Sequence, residues 1–372
     1  MIKLIKYNYI FIFLLGVITI GFPFAHDYII WHQINLGTID SLFILTGFVY
    51  ILIGFSLYLI QKYWKRKLFK YQEIVILILF ILSIFGIYIY SLSISSRQSQ
   101  WRLLTYELNK TNTLKFKGKA YHLSQFLANE VNDIKADFVA DPFTIKHKQT
   151  QYCFFEAGNK ESKKGEIGLA ISSNGIKWNY EKIVLSEPFH ISFPLVFKED
   201  NHFYMIPESS QDSSVRLYKA TDFPIKWKLD TILLSGQKYM DNVVFKQGNI
   251  WWLFTSTTND NLLLFFSNSL QGPWEPHPKN PIRENYPDGS RMAGKIFIKN
   301  DSLFRIAQDD YPNYGNNIKT FYINKLDSTS YEEKEIRFFP DFRALNSFST
   351  NGVHSCSLIE TDSSYLVMID GY

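Results

Sequence analysis

Hydrophobic residues follow two different patterns along the chain, and the change falls near residue 97. Before it, three apolar runs at about 7–25, 41–60 and 74–96 carry almost no charge. Each run provides the roughly 20 residues that a helix needs to cross a bilayer. This pattern predicts a membrane anchor of three transmembrane helices over residues 1–96, followed by a separate domain over residues 97–372.

The distribution of cations predicts the orientation of this anchor. The loop "QKYWKRKLFKY" carries five Lys and Arg residues, whereas "HDYIIWHQINLGTID" carries none. Because Lys and Arg concentrate on the cytoplasmic side, we expect a cytoplasmic N-terminus and an extracytoplasmic second domain. A signal peptide is the competing interpretation of the first run, but the two further runs and the lack of a small-residue cleavage pattern favour retention.

After residue 97, short apolar runs alternate with turn-forming residues, which is typical of β-strands. Five segments share the order apolar strand, polar turn, aromatic strand. When they are aligned at one position of the first strand, that position recurs at intervals of 52, 48, 52 and 61 residues, at Asp141, Phe193, Asp241, Ala293 and His354. A four-stranded unit with a period near 50 residues is the pattern of a propeller blade.

The pattern therefore predicts an all-β five-bladed propeller. The first four units continue with a third and a fourth strand, but the fifth has only two before Tyr372. The stretches "QWRLLTYELN" and "TLKFKGKAYHL" precede the first unit and can supply the missing outer pair, which would close the ring and remove exposed edges. An antiparallel sandwich with coincidental spacing is the alternative.

Composition and charge narrow the function classes. The net charge of +4 is modest, and no basic stripe follows residue 97, so nucleic-acid binding is not indicated. Two cysteines, Cys153 and Cys356, are too few for a zinc cluster or a disulfide-rich scaffold; buried free thiols are favoured over a disulfide. Usage rich in Lys, Ile and Asn suggests a bacterial source.

Particular motifs in the second domain resemble known families. "GEIGLAISSNGIKW", "NLLLFFSNSLQGPWEPHPKNPI", "ADPF" and "FFE" resemble family-43 glycoside hydrolases. More specifically, residues 101–372, above all "EPFHISFPLVF", "YMIPESS" and "VRLYKATDFP", resemble the N-terminal propeller domain of plant glucosamine inositolphosphorylceramide transferases and similar bacterial domains. The glycosyltransferase domain of the plant proteins has no counterpart here, so the resemblance does not imply transferase activity.

The likeness to family 43 implies roles for two aspartates. Asp141 matches the general base of those enzymes, and Asp241 matches the third-blade aspartate that adjusts pKa and orients the substrate. Inverting hydrolysis also needs a carboxylic acid roughly 6.5–9.5 Å from the base. The fourth-blade position of that acid reads "SRMAGKIF", with Ala293 and Gly294 in place of a glutamate. This departure puts hydrolysis by the usual three residues in doubt.

Other carboxylates could replace the missing acid. Glu208, which ends the second strand of blade two, is the leading candidate; Glu156, Asp309 and Asp310 occupy matching places in blades one and four. Paired carboxylates in a semi-enclosed site raise one pKa, as a general acid requires. For Asp141 the alternative is a turn residue. Glu156 and Glu208 could simply join neighbouring blades, and a solvated turn is the favoured interpretation of Asp309 and Asp310.

Three basic side chains complete the candidate site. His190, Arg291 and His354 lie near the heads of inner strands and could bind sugar hydroxyls or a phosphate or carboxylate substituent. No spacing motif supports a metal site, and no cofactor is indicated. Aromatic residues make up 17% of the chain; most are expected in the core, with Tyr239, Tyr286, Tyr311 and Tyr314 as candidate sugar platforms.

These observations favour a membrane-anchored propeller that acts on or recognises a surface glycan or glycolipid head group. If it is an enzyme, glycoside hydrolysis would use Asp141, Asp241 and Glu208. A non-catalytic glycan-binding module serving a partner enzyme is the alternative. A structural or interaction propeller, which would show no dependence on sugar, is a third hypothesis.

Overall fold

The computed structural model describes residues 101–109, 120–312, 314–342 and 352–372. All of them belong to a unit that spans Arg97–Tyr372. The three predicted transmembrane runs lie outside the described residues. Within the described ranges, no helix has the length and apolar character needed to span a bilayer.

The described residues form five antiparallel sheets, which confirms the predicted all-β five-bladed propeller. The chain begins with strands β1 (Arg102–Asn109) and β2 (Ala120–Phe126). Blade one contains β3 (Ala136–His147), β4 (Thr150–Asn159), β5 (Lys164–Ser172) and β6 (Asn179–Leu185). Blade two contains β7 (Ser192–Glu199), β8 (His202–Glu208), β9 (Ser214–Asp222) and β10 (Lys226–Ser235). Two short 3-10 helices lie at Ala128–Glu130 and Ser210–Asp212.

The remaining blades follow the same order. Blade three contains β11 (Met240–Gln247), β12 (Ile250–Ser256), β13 (Leu262–Ser267) and the short β14 (Glu275–Pro276). Blade four contains β15 (Asp288–Met292), β16 (Phe297–Lys299), β17 (Ser302–Asp309), β18 (Asn317–Asp327) and β19 (Ser330–Ile336). Blade five contains β20 (Cys356–Glu360) and β21 (Ser364–Gly371), which continue into β1 and β2.

Strand β1 closes the ring as predicted. It pairs antiparallel with β21 along its whole length, from Arg102 opposite Gly371 to Asn109 opposite Ser364. Strand β2 (Ala120–Phe126) contains the last residues of the predicted stretch "TLKFKGKAYHL", and the earlier residues of that stretch lie outside the described ranges. The fifth blade therefore consists of two C-terminal and two N-terminal strands.

The inner strands of blades one to three share an irregularity at the aligned position. Asp141, Phe193 and Asp241 have left-handed backbone conformations, with φ of 52°, 44° and 51°. Strand register shifts at the same points, between Ala140 and Phe143, Ser192 and Leu195, and Met240 and Val243. Such conformations are costly for residues with a Cβ atom and persist where surrounding contacts hold them.

Blade four departs from the predicted continuous inner strand. The segment "MAGKIFIKN" is divided between β15 and β16, with a break after Met292. In this break the backbone touches blade five: Ala293 O accepts a hydrogen bond from Cys356 N at 2.7 Å. A Cβ atom at Gly294 would collide with the carbonyl oxygen of Cys356. The fold therefore leaves no space for a side chain at position 294.

Aromatic side chains fill the space between blades, as expected. Trp251, Trp252 and Phe265 are buried in the largest core cluster, and Phe266 packs against it. Cys153 and Cys356 are both buried free thiols. Burial raises the pKa of each thiol, so both behave as small apolar core residues.

A buried ion network joins the edge of blade three to blade four. Arg305 is fully buried and binds Glu333 through two hydrogen bonds of 2.8 and 2.7 Å. Arg283, whose backbone pairs with Leu262, adds a contact of 2.6 Å to the same carboxylate. The two guanidinium groups hold the pKa of Glu333 down to about 2 against the opposing effect of burial.

We expect Glu333→Gln to lower the thermal midpoint of unfolding by about 5 °C or more, because a charge removed from a buried pair leaves its partner uncompensated at a cost of roughly 3–5 kcal/mol. Thermal unfolding followed by circular dichroism measures this. Glu332→Gln, at an exposed position of the same strand, is the matched control and should change the midpoint little. Equal midpoints for the two variants would contradict the assigned role of the network.

Candidate functional site

Carboxylates tie consecutive blades together at the left-handed positions. Asp370 of blade five accepts a hydrogen bond from the backbone N–H of Asp141 at 3.0 Å. Asp141 in turn accepts from the N–H of Phe193 in blade two at 3.1 Å, and Glu208 of blade two accepts from the N–H of Asp241 in blade three at 3.0 Å. Each bond holds the strained residue of the next blade, so these carboxylates have a structural role at least.

His354 lies between two of these carboxylates. Its Nε2 atom is 3.2 Å from Asp141 Oδ1, and its Nδ1 atom is 2.9 Å from Asp370 Oδ2. Burial alone would lower the pKa of His354, but Asp370 and Asp141 outweigh it and hold the pKa well above the ordinary value. The two aspartates therefore favour the imidazolium form of His354, which lies between them.

Asp370 is a member of the site that the sequence analysis missed. Its side chain is fully buried and also accepts hydrogen bonds from the backbone N–H and the hydroxyl group of Ser355, at 2.9 and 2.6 Å. A signal was present in the sequence: Asp370 ends the second strand of blade five, the register already recognised for Glu156 and Glu208.

Asp241 binds two side chains of blade four. Its Oδ2 atom accepts from Arg291 Nε at 2.6 Å and from Gln308 Nε2 at 3.0 Å. Burial raises the pKa of Asp241, the nearby Arg291 opposes this, and Glu208 adds to it, so the pKa is about 7. Arg291 also lies over the Tyr314 ring, 5.4 Å from its centroid. Gln308 was not anticipated from the sequence.

Glu156 and His190 form a pair between blades one and two. Glu156 Oε1 is 3.4 Å from His190 Nε2, and His190 Nδ1 accepts a hydrogen bond from the N–H of Gly165 at 2.8 Å. Glu208 lies in the same register as Glu156, and its second oxygen accepts from the hydroxyl group of Ser210 at 2.8 Å. We call the eight side chains that contacts and electrostatic interactions link across the blades the central site: Asp141, Glu156, His190, Glu208, Asp241, Arg291, His354 and Asp370.

The two candidate aspartates of blade four, Asp309 and Asp310, differ in burial. Asp309 is half-buried and accepts a hydrogen bond from Asn316 Nδ2 at 3.1 Å. Asp310 is buried, contrary to the expectation of a solvated turn, because its carboxylate accepts the N–H of Gly315 at 2.8 Å. Burial raises the pKa of Asp310 to about 6, although Arg291 opposes the shift.

The candidate aromatic platforms lie in different environments. Tyr239 is buried in the core, whereas Tyr286 and Tyr311 are exposed. Tyr314 is half-buried and contacts the His354 ring at a centroid distance of 5.2 Å. Trp101, the residue before β1, packs edge-on against His354 at 4.6 Å.

One group of side chains in the described part of the chain has atoms placed to hold a cation. Ligand atoms of Asp141, His354 and Asp370 lie within 4.8 Å of one another, and all three residues are buried. A protonated imidazole has no free lone pair. A bound cation and the imidazolium form of His354 are therefore alternative ways of balancing the same two carboxylates.

The fold and the site define a class: a five-bladed propeller with acidic and basic side chains gathered around its channel. Residues 120–371 match the family model described as "Glucosamine inositolphosphorylceramide transferase 1, N-terminal". The match covers more than half of the chain, so the protein belongs to this family.

Curated relatives agree with this assignment. The Glucosamine inositolphosphorylceramide transferase 1 proteins of Oryza sativa subsp. japonica and Arabidopsis thaliana are 38% and 34% identical over 207 and 250 residues. These regions cover 53% and 64% of this chain but 28% and 32% of the relatives, so the chain spans about a third of their length or less.

Among solved structures, an exo-beta-1,3-galactanase from Clostridium thermocellum is 12% identical with a TM-score of 0.48, covering 64% of this chain and 63% of that one. A glycoside hydrolase from Xanthomonas citri complexed with xylotriose is 12% identical with a TM-score of 0.47, covering 63% and 83%. These likenesses concern the fold alone.

We expect Asp370→Asn to lower the pKa of His354, because the substitution removes one of the two carboxylates that oppose the effect of burial. The stabilisation from a raised histidine pKa is complete below the unfolded value near 6.5 and is lost as pH rises through the folded value. The loss of stability begins near the unfolded value in both proteins, but in the variant it should be smaller and should be complete at a lower pH than in the wild type. NMR titration of the His354 ring tests this, and an unchanged His354 pKa in a folded variant would contradict the bridging role.

Proposed function

We propose that the propeller recognises the head group of a glycolipid, a polyol that carries a phosphoryl group, at the central site. The observation that carries this proposal is the position of Arg291. Its Nε atom is fixed on Asp241, and its ring contact with Tyr314 orients the guanidinium plane. Among the described residues, Arg291 makes no further hydrogen bond, so its terminal N–H groups can serve the paired oxygens of a phosphoryl group.

The acidic side chains suit the polyol part of such a ligand. Carboxylates accept hydrogen bonds from hydroxyl groups, and Asp141 and Asp241 come from different blades to one channel. Family membership supports a lipid-linked ligand, since the relatives are named for inositolphosphorylceramide. In this proposal the N-terminal runs anchor the protein in the bilayer, with a cytoplasmic N-terminus and an extracytoplasmic propeller.

Glycoside hydrolysis is a second candidate function, with Asp141 as base, Asp241 as pKa modulator and Glu208 as acid. Raised pKa values at Asp241 and Glu156 show that the site can keep a carboxyl group protonated, as a general acid must be, although neither residue is the assigned acid. The crowded backbone at Gly294 weighs against it, because blade four supplies no acid there. Both oxygens of Glu208 also already accept hydrogen bonds, from Asp241 and Ser210.

Binding is tested by isothermal titration calorimetry on the full-length protein purified in detergent, with myo-inositol 1-phosphate and myo-inositol as probes. We expect the phosphorylated probe to bind more tightly, and Arg291→Gln to weaken its binding about tenfold or more, as loss of a charged hydrogen bond predicts. Arg337→Gln, at an exposed arginine, is the control and should bind normally. Equal affinity of wild type and Arg291→Gln for the phosphorylated probe would contradict the proposal.

Hydrolysis is tested by sugar release from envelope glycans and an oligosaccharide panel. The hydrolase hypothesis requires release by the wild type and loss of at least about a hundredfold in Asp141→Asn, since general acid–base catalysis contributes roughly 10²–10⁴-fold. Thermal unfolding of the variant confirms that it is folded. No release by the wild type leaves recognition as the supported function.

A further inference from the structure

Glu156 occupies a space that the fold keeps open for its carboxyl group. The residue ends β4, is 6% exposed and packs over Gly165 of the neighbouring strand. A Cβ atom at position 165 would lie 2.5 Å from Glu156 Oε1 and 2.5 Å from the carbonyl oxygen of Ile191. Only glycine at 165 therefore allows the carboxyl group to lie between blades one and two.

The partner of Glu156 is a neutral histidine in a defined tautomer. The N–H of Gly165 donates to His190 Nδ1, so this nitrogen carries no proton. Burial lowers the pKa of His190, although Asp141 opposes the shift. The ring is therefore neutral at pH 7, with its proton on Nε2, the atom that faces Glu156 Oε1 at 3.4 Å. Within the described ranges, Glu156 consequently has a polar neighbour but no cation in contact.

The groups that face Glu156 are mostly acidic. Burial raises its pKa most, Asp141 adds to the rise, the His354 imidazolium opposes it, and Glu208 and Asp370 add to it again; the net pKa lies well above the ordinary value. Asp141, Asp241, Glu208 and Asp370 each accept hydrogen bonds from backbone or side-chain donors. Among the described residues, no group donates a hydrogen bond to the buried Glu156 Oε1.

We propose that Glu156 is held as a neutral carboxylic acid and donates a hydrogen bond from its O–H group to an oxygen atom of the bound head group. This inference rests on the proposed function and adds to it a specificity residue. A phosphorylated polyol presents acceptor oxygens, and the ionised carboxylates of the site can only accept hydrogen bonds. Glu156 supplies a donor without adding a buried cation, and His190 is its positioning residue.

The test compares the affinity for myo-inositol 1-phosphate across a pH series in the full-length wild type, Glu156→Gln and Glu156→Leu, by calorimetry. The amide of glutamine donates a hydrogen bond at every pH, whereas leucine cannot. We expect Glu156→Gln to bind within about threefold of the wild type at neutral pH, and Glu156→Leu to bind about tenfold or more weakly. As pH rises, the wild type should lose affinity relative to Glu156→Gln. Because both proteins bind the same probe, the ratio of their affinities at each pH does not depend on the titration of the probe.

The matched control is Glu166→Gln, a buried carboxyl on β5 that binds Asn159 at 2.9 Å; its pH profile should follow the wild type. A Glu156→Gln variant that is folded but binds as poorly as Glu156→Leu would overturn the proposal. A wild-type affinity that rises with pH relative to Glu156→Gln would also overturn it, because Glu156 would then act as an ionised acceptor.

A second measurement needs no ligand and separates this inference from the proposed function. Infrared difference spectra of wild type minus Glu156→Gln at neutral pH should contain the C=O stretching band of a protonated carboxylic acid. If that band is present but no probe binds, the proposed function fails while the neutral state of Glu156 stands. If the band is absent, the inference fails whatever the protein binds.

Discussion

The propeller depends on hydrogen bonds between a carboxylate of one blade and a backbone N–H of the next. Three such bonds link blades five, one, two and three through Asp370, Asp141 and Glu208. The donors are the backbone N–H groups of Asp141, Phe193 and Asp241, which have left-handed backbones and would otherwise leave buried N–H groups without partners. A buried unpaired N–H costs roughly 1–3 kcal/mol, so each carboxylate compensates for a local strain and fixes the position of its neighbour.

This arrangement gives the carboxylates two roles. Asp141 accepts the N–H of Phe193 with one oxygen and faces His354 with the other. Structural use of one oxygen leaves the other for a ligand, a proton or a cation. The blades thus bring charged side chains close together without separate supporting loops. Burial and the charges of neighbouring side chains raise the pKa values of Glu156 and Asp241, and neighbouring aspartates raise that of His354.

Much of the fold could be predicted from the sequence because blades repeat. The period near 50 residues located the five sheets and the aligned position at which Asp141 and Asp241 occur, and the incomplete fifth unit indicated closure by N-terminal strands. The break in blade four could not be predicted in this way, because there the chain packs against the backbone of Cys356 in another blade. The transmembrane helices stay predictions, since they lie outside the described residues.

The site was predictable only in part, because several of its residues matter through contacts with distant parts of the chain. The acidic residues at the ends of second strands indicated Glu156 and Glu208, and the same register could have indicated Asp370. Gln308 and Gly165 carry no chemical signal of their own: Gln308 matters because it reaches Asp241, and Gly165 matters because its missing side chain admits Glu156. Such roles depend on partners distant in the chain, which a linear pattern does not specify.

Closure of the ring also has a consequence for biosynthesis. Asp141 and Asp370, whose bond anchors His354, are 229 residues apart, and β1 pairs with β21 along its whole length. Contacts of such high sequence separation form slowly. During translation, blades one to four can pair their own strands, but β1 can pair only with β2 until β21 has left the ribosome. Because Asp370 lies on β21, the central site is completed only when β21 pairs with β1 and the ring closes.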